Sequence, residues 1–261
     1  MRILVTNDDG VDAPGLIPLA AALAADGHDV TVVAPTNDRS GSGAAIGKLF
    51  GNEPPEIVRH EWPDLPGVAV HALDAPPATA VLGATLGAFG DPPDLVASGI
   101  NPGANTGHLV IHSGTVGAAL TAAGLDIPAL AVSLPWSTEG EYHWDTAAAF
   151  AAAAVEWVAK PDGGVPRVLN INVPNLPLAE IKGVREAELA PHGEVWIASA
   201  DASGGDLKLE FQGRADAAPG TDVALIRDGY VAVTPLMSVV RAPLTGAADA
   251  VSSVLRDQPS G

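Results

Sequence analysis

Ile3-Leu4-Val5-Thr6-Asn7-Asp8-Asp9-Gly10 opens the chain and decides its fold. A short apolar run closed by turn formers reads as a buried strand that ends in a polar loop. Leu16, Leu19, Ala20 and Leu23 then recur at helical spacing until Gly27, and Val30-Thr31-Val32-Val33-Ala34 is a β-branched strand ended by Pro35. A right-handed crossover makes these two strands parallel neighbours. The alternation continues with strands at Val68–Leu73, Leu95–Ala97, Ala129–Ser133 and Val168–Val173. Helices are expected between them at Thr79–Leu86, Val116–Ala123 and Ala147–Val158. The economical reading is an α/β fold with an open, doubly wound, mostly parallel sheet of Rossmann-like type.

After about Pro174 the pattern changes. From Val184 to Arg214 the chain is polar, with short alternating pieces at Val195-Trp196-Ile197 and Leu207-Lys208-Leu209 around Gly204-Gly205. That stretch predicts a protruding hairpin. Asp228-Gly229 is a turn into one more strand through Thr234, and the remaining tail is expected to be helical from Gly246 to Arg256. We divide the chain into an α/β core over 1–183 and a segment over 184–261 that carries the arm, a final core strand and an oligomerisation tail, all within one structural domain.

The 261 residues hold 13 Lys+Arg against 31 Asp+Glu, a formal net charge of −18. Such a balance speaks against a nucleic-acid polymer, whose phosphates are neutralised by Lys and Arg, and against anionic membranes. With no cysteine there is no disulfide, no thiolate zinc site and no cysteine nucleophile. The longest apolar run, Ala147 to Val155, is cut by Glu156 and falls well short of the ~20 residues that span a bilayer. The opening apolar stretch is too short for a signal peptide, so a cytoplasmic protein is expected.

Ligands of open α/β sheets bind beyond the carboxyl ends of the strands. Three polar clusters fall there. Asp8 and Asp9 follow the first strand, and two ionised carboxylates so close repel unless one is protonated or both share a cation. An ordinary turn with solvated side chains is the plainer alternative. Asp38-Arg39-Ser40-Gly41-Ser42-Gly43 follows the second strand, with backbone free to approach a ligand or simply to flex. Ser98-Gly99-Ile100-Asn101, with Gly103, Asn105 and Gly107, leads to Ser113-Gly114-Thr115 at a helix start. Such a start suits an anion, and its hydroxyls equally suit plain N-caps. Together, Asp8, Asp9, Ser40 and Asn101 are hard oxygen donors on one sheet edge. They suit Mg²⁺, Mn²⁺ or Ca²⁺ rather than zinc. A phosphate could then bind locally, helped by Arg39, Lys48 and the helix start, because salt screens the distant negative field within ~10 Å.

These motifs resemble the SurE family, the survival-protein nucleotidases. The stretch Ile3 to Leu16 is similar to that family's opening signature. Val32-Val33-Ala34-Pro35 with Arg39-Ser40-Gly41, Ser98 to Asn101, Ser113 to Ala119, and Asn170-Ile171-Asn172-Val173-Pro174 follow in order. Late matches are Ile181-Lys182-Gly183, Gly220-Thr221-Asp222 and Asp228-Gly229-Tyr230-Val231. The resemblance implies a metal-dependent phosphatase acting on nucleoside 5′- and 3′-monophosphates, with one divalent ion per subunit. It implies metal ligands at Asp8, Asp9, Ser40 and Asn101, the two carboxylates also being catalytic. Asn105, Ser113, Gly114 and Thr115 are the implied phosphate-binding residues. It also implies a homodimer or homotetramer formed by exchange of the C-terminal segment.

The chain departs from the family around this set. Ala44-Ala45-Ile46-Gly47 follows the Ser40 loop where Ser and Thr are usual. Asp74-Ala75-Pro76-Pro77-Ala78-Thr79 replaces a Gly-Thr-Pro-x-Asp-Cys stretch, and Gly107 to His112 replaces an acidic pair and a Tyr. A phosphorylated sugar or secondary metabolite, or a ligand bound without turnover, is therefore the alternative to a nucleotide. Arg39, His108 and His112 are candidate substrate contacts, the histidines standing four apart where a general acid is useful; both could instead be loop replacements. Tyr142-His143-Trp144, after Pro135-Trp136, offers aromatics that either stack on bases or pack. A receiver domain lacks its phospho-acceptor Asp and its Lys here, and no G-x-G-x-x-G turn supports a dinucleotide site.

Overall fold

The computed structural model describes residues 1–47, 53–160, 168–213 and 217–239. The expected tail helix and Lys48 lie outside the described residues. The opening strand, β1 (Arg2–Thr6), sits in the middle of a nine-stranded sheet. On one side it pairs in parallel with β2 (Asp29–Pro35), which pairs with β4 (Ala69–Leu73). On the other side it pairs with β5 (Leu95–Pro102), followed by β6 (Ala129–Leu134) and β7 (Val168–Asn172), all parallel. The strand order reverses between β1 and β5, the switch point where a crevice opens beyond the carboxyl ends.

Alternation on β1 shows why the sheet is buried on both faces. Ile3 and Val5 join a core with Leu16, Leu19 and Leu23 of α1 (Leu16–Ala25) and with Ala147, Ala151 and Val155 of α4 (Trp144–Ala159). Leu4, on the opposite face, joins Val81 of α2 (Pro77–Thr85) and Val116, Ala119 and Ala122 of α3 (Gly114–Ala123). Small alanines on α3 and α4 let both helices lie close on the sheet. Fully burying one Leu or Val contributes about 1.5–3 kcal/mol, so these two layers account for the cohesion of the domain.

Five elements went unread in the sequence, among them a 3-10 turn at Leu178–Glu180. The edge strand β3 (Ile57–His60) runs antiparallel to β4, and its residues are mostly exposed, so it shows no alternation. A short strand, β8 (Val184–Glu186), pairs in parallel with β11 (Val231–Leu236), which itself runs antiparallel to β7. Val184–Glu186 therefore belongs to the main sheet, and the separate hairpin is confined to β9 (Val195–Asp201) and β10 (Lys208–Gly213). The six-residue α5 (Asp222–Arg227) and a 3-10 turn at Gly107–His112 complete the set.

Arg2 fastens β1 to the start of β5. Its backbone N–H donates to Asp94 Oδ2 at 2.8 Å, and its guanidinium donates to Asp94 Oδ1 at 2.7 Å. These bonds hold the Asp94 carboxyl below the usual carboxylate range. A carboxyl with a depressed folded pKa stabilises the fold above its unfolded value, ~3.9, and loses that contribution as pH falls through the folded value. Asp94→Asn should thus lower the melting temperature slightly at pH 7, and the gap from the parent should close below about pH 4 in a thermal-melt series.

Candidate metal and phosphate site

The loop after β1 is held by its own amide. Asn7 Nδ2 donates to the Gly10 carbonyl at 2.9 Å, and the Gly10 N–H donates back to Asn7 Oδ1 at 3.2 Å. Asn7 is fully buried, so this is a rigid turn and not a solvated one. It aims Asp8 at the start of α3. Asp8 Oδ2 accepts the Gly114 N–H at 3.1 Å, and Asp8 Oδ1 accepts a short hydrogen bond from the Thr115 hydroxyl. A carboxylate on the free N–H groups and positive end of a helix is a favourable pairing. Even so, burial pushes the Asp8 carboxyl up, against the lowering effect of Thr115 and Gly114.

Asp9 lies alongside with less support. Its Oδ2 is buried and has no hydrogen-bond partner. Burial first, and then the charges of Asp8 and Asp38, push its carboxyl up to about 7. Two crowded carboxylates, one with an orphaned oxygen, form a site short of positive charge.

The two neutral residues expected beside them are each fixed by a hydrogen bond of their own. Ser40 Oγ donates to Asp38 Oδ1 at 2.6 Å, so its hydrogen is engaged. Asn101 Nδ2 donates to the Gly103 carbonyl at 2.6 Å, which orients the amide and leaves its oxygen for a ligand. Asn101 reaches this edge through a bulge in β5, whose register against β6 shifts between Ser98 and Asn101. Gly99 makes the bulge possible. Its φ is +130°, and a Cβ there would stand 2.4 Å from the Val132 carbonyl oxygen. Among the described residues no three His, Cys, Asp or Glu side chains converge as a metal cluster. The residues expected to hold a cation offer two carboxylates, a hydroxyl and an amide oxygen, a chemistry that fits a hard divalent ion.

Of the expected phosphate contacts, Gly114 and Thr115 are engaged by Asp8. Their N–H and hydroxyl serve as the seat of that carboxylate. Ser113 caps α3, its Oγ accepting the Val116 N–H at 3.1 Å, which leaves the hydroxyl hydrogen available to an anion. Asn105 is gripped on several sides. Its N–H donates to Asn172 Oδ1, its carbonyl accepts from Asn170 and Asn172 Nδ2, and its own Nδ2 donates to Ser133 Oγ, all near 2.8–2.9 Å.

The Arg39 guanidinium is paired with Asp74 at 2.5 Å, while its backbone N–H donates to the Asp8 carbonyl at 2.7 Å. His108 and His112 are exposed. His108 lines a separate cleft with Glu186, Glu188 and Thr234. Tyr142 and Trp144 stack on each other, with ring centroids 4.6 Å apart, and pack against the core.

Four contributors escaped the sequence reading. Ser42 brings a buried, unpartnered hydroxyl up to Gly114. Asn170 and Asn172 hold Asn105 from β7. Buried Asp222 accepts the N–H groups of Gly107 and Ala190, at 2.7 and 3.0 Å, and so ties the loop after β5 to the segment before the hairpin. The only signal in the sequence was polar residues in otherwise apolar or strand-like surroundings.

Two adjacent carboxylates thus stand at the switch point of an open α/β sheet, and one of them, Asp8, is seated on the start of α3. The family model described as Survival protein SurE matches residues 3–194, and the chain belongs to the SurE family. A 5′/3′-nucleotidase SurE from Escherichia coli O127:H6 is 42% identical over 248 residues, 90% of each chain. One from Shigella boydii serotype 18 shows the same 42% over 248 residues, again 90% of each. The crystal structure of the SurE protein from Aquifex aeolicus superposes with a TM-score of 0.72 at 31% identity, over 98% of this chain and 100% of that one. The expected mostly parallel α/β fold is thereby confirmed, and membership supports hydrolase activity of the SurE type. No helix among the described residues is long and apolar enough to cross a membrane.

Two substitutions test this geometry. A Cβ at residue 114 would stand 2.6 Å from both Cβ and Oδ2 of Asp8. Mn²⁺ is expected to raise the melting temperature of the parent, and Gly114→Ala should unseat Asp8 and abolish that rise while circular dichroism stays native. Asp9→Asn removes one of two crowded charges. It should raise the melting temperature of the metal-free protein, by up to about 2 kcal/mol of stability, and remove the metal-dependent rise.

Proposed function

We propose that the protein is a divalent-metal-dependent phosphomonoesterase that releases phosphate from nucleoside 5′- or 3′-monophosphates. The observation that carries this reading is the Asp8–Asp9 pair. One carboxylate is fully bonded to the start of α3, and the other has a buried oxygen without a partner. The names of the Escherichia coli and Shigella relatives, 5′/3′-nucleotidase, support the substrate class.

Asp8, Asp9, Ser40 and Asn101 would hold the cation, which supplies Lewis-acid polarisation of a phosphoryl oxygen when bound. The chain's own groups do the rest. Asp8, with both oxygens already accepting hydrogen bonds, is a fixed ligand. Asp9, with an uncommitted oxygen, orients the attacking water and takes its proton as the bond from phosphorus to the ester oxygen breaks, and the departing alcohol oxygen takes a proton from solvent. Around the phosphoryl group the Ser113 and Ser42 hydroxyls donate where charge spreads in the transition state, and Asn105 is held rigid for the same purpose by Asn170 and Asn172. Positioning of this kind dominates phosphoryl transfer, where little covalent chemistry falls to the protein.

The −18 charge of the chain disfavours highly charged substrates at long range, and the paired carboxylates need a cation before a phosphate dianion can approach. Monoesters suit this balance better than polyphosphates. The hairpin of β9 and β10 stands apart from the main sheet and would serve assembly of a homodimer or homotetramer.

Phosphate release from nucleoside monophosphates, sugar phosphates and p-nitrophenyl phosphate, each with EDTA, Mg²⁺ and Mn²⁺, tests the proposal. Metal-dependent release led by nucleotides is expected. Asp8→Asn and Asp9→Asn should each lower kcat by about 10²-fold or more, the scale of losing one transition-state contact, with the fold intact. Full activity in both variants, or release only from sugar phosphates, would contradict it.

A further inference from the structure

The loop between β6 and α4 holds one aromatic that packing does not use. Tyr142 and Trp144 form the stacked pair described above, and the backbone around them is braced. The Tyr142 hydroxyl accepts the Ser137 N–H at 3.2 Å, Asn175 Oδ1 accepts the His143 N–H at 2.8 Å, and Asn175 Nδ2 donates to the Glu141 carbonyl at 2.7 Å. Trp136 sits on this fixed loop with 69% of its surface exposed. Trp136 therefore presents a large apolar ring to solvent from a braced backbone.

A cavity of about 310 Å³ adjoins that ring. Asn101 and Asn105 form its inner end, next to the cation and phosphate positions, with Thr106 beside them. Leu109 and Trp136 supply apolar surface, and Glu194 stands at the base of the hairpin. The Glu194 N–H donates to Thr106 Oγ1 at 3.0 Å, which fixes the cavity against the strand-end loop. The size falls at the lower end of clefts that accept small organic ligands, about 300–1,000 Å³. Among the described residues that line it, none is basic. It therefore suits a neutral flat group and not a second phosphate.

We infer that this cavity is the leaving-group subsite and that Trp136 is a specificity residue, stacking on a planar ring carried by the ester. The inference rests on the phosphomonoesterase reading and narrows it to monoesters whose alcohol bears an aromatic ring, whether a nucleobase or an aryl group. Base–aromatic stacking tolerates any ring with a π face, so both sources share the chemistry.

Steady-state kinetics of the full chain with Mn²⁺ test this, using adenosine 5′-monophosphate, phenyl phosphate and the ring-free ribose 5-phosphate. Trp136→Ala should raise KM about tenfold for the first two, equivalent to about 1.4 kcal/mol, and leave kcat and the ribose 5-phosphate values unchanged. Trp136→Phe should restore most of the loss. A rise for the nucleotide alone assigns the subsite to nucleobases, and a rise for both assigns it to aromatic rings in general. An equal loss on all three substrates, no change on any, or a change of oligomeric state without a change in discrimination overturns the inference. Equilibrium dialysis of adenosine alone separates its failure from that of the proposed reaction. Binding by the parent that Trp136→Ala abolishes supports the subsite even where no phosphate is released, and equal binding or none overturns it.

Discussion

Seating Asp8 on the first turn of α3 is the constraint on which the rest of the site depends. A buried carboxylate is costly unless its oxygens are hydrogen-bonded, and here the Gly114 N–H and the Thr115 hydroxyl serve both. That contact joins the end of β1 to the start of α3 across more than a hundred residues of sequence. It also explains the smallness of residue 114, since any side chain there would occupy the carboxylate's place. Asp9 then has nowhere to go. It is carried into the same pocket by the turn at Asn7, with one oxygen left unpaired. The fold thus holds a destabilising pair of carboxylates in position, an arrangement that a cation would relieve.

The proposed neutral ligands are also fixed by hydrogen bonds. Ser40 and Asn101 each give a hydrogen to a neighbouring protein oxygen, which holds the side chain in place. Asn105 is immobilised from β7 and β6, and Asp222 ties its loop to the base of the hairpin. Such outer contacts keep a site within the small tolerances that catalysis requires. Arg39 differs, because its guanidinium is paired with Asp74, a residue that stands where the family resemblance led one to expect a glycine. Its positive charge is thereby directed to the loop before α2.

Much of this was legible in the sequence, and for physical reasons. The strands β1, β2, β5, β6 and β7 are buried on both faces and read as continuous apolar runs. Loops at their carboxyl ends could therefore be named in advance as the place for a site, and Asp8, Asp9, Ser40 and Asn101 all lie there. What stayed hidden was either short or set by distant contacts. β3 and β8 are edge strands of four and three residues with largely exposed side chains, so no alternation marks them. The partners of Asp222 are more than thirty and more than a hundred residues away. Spacing alone could not tell Tyr142 and Trp144, which pack, from Trp136, which does not. Nor could it show that Gly114 and Thr115 bind Asp8 in place of an anion, because an N-terminal turn accepts either.

The most direct test is a crystal structure with Mn²⁺ and its anomalous difference map. A single strong peak per subunit is expected at the carboxyl edge of β1 and β5, within bonding distance of Asp8, Asp9, Ser40 and Asn101. Absence of a peak there, or an ion held instead by His108 or His112, would contradict the assignment of the carboxylate pair as the metal centre.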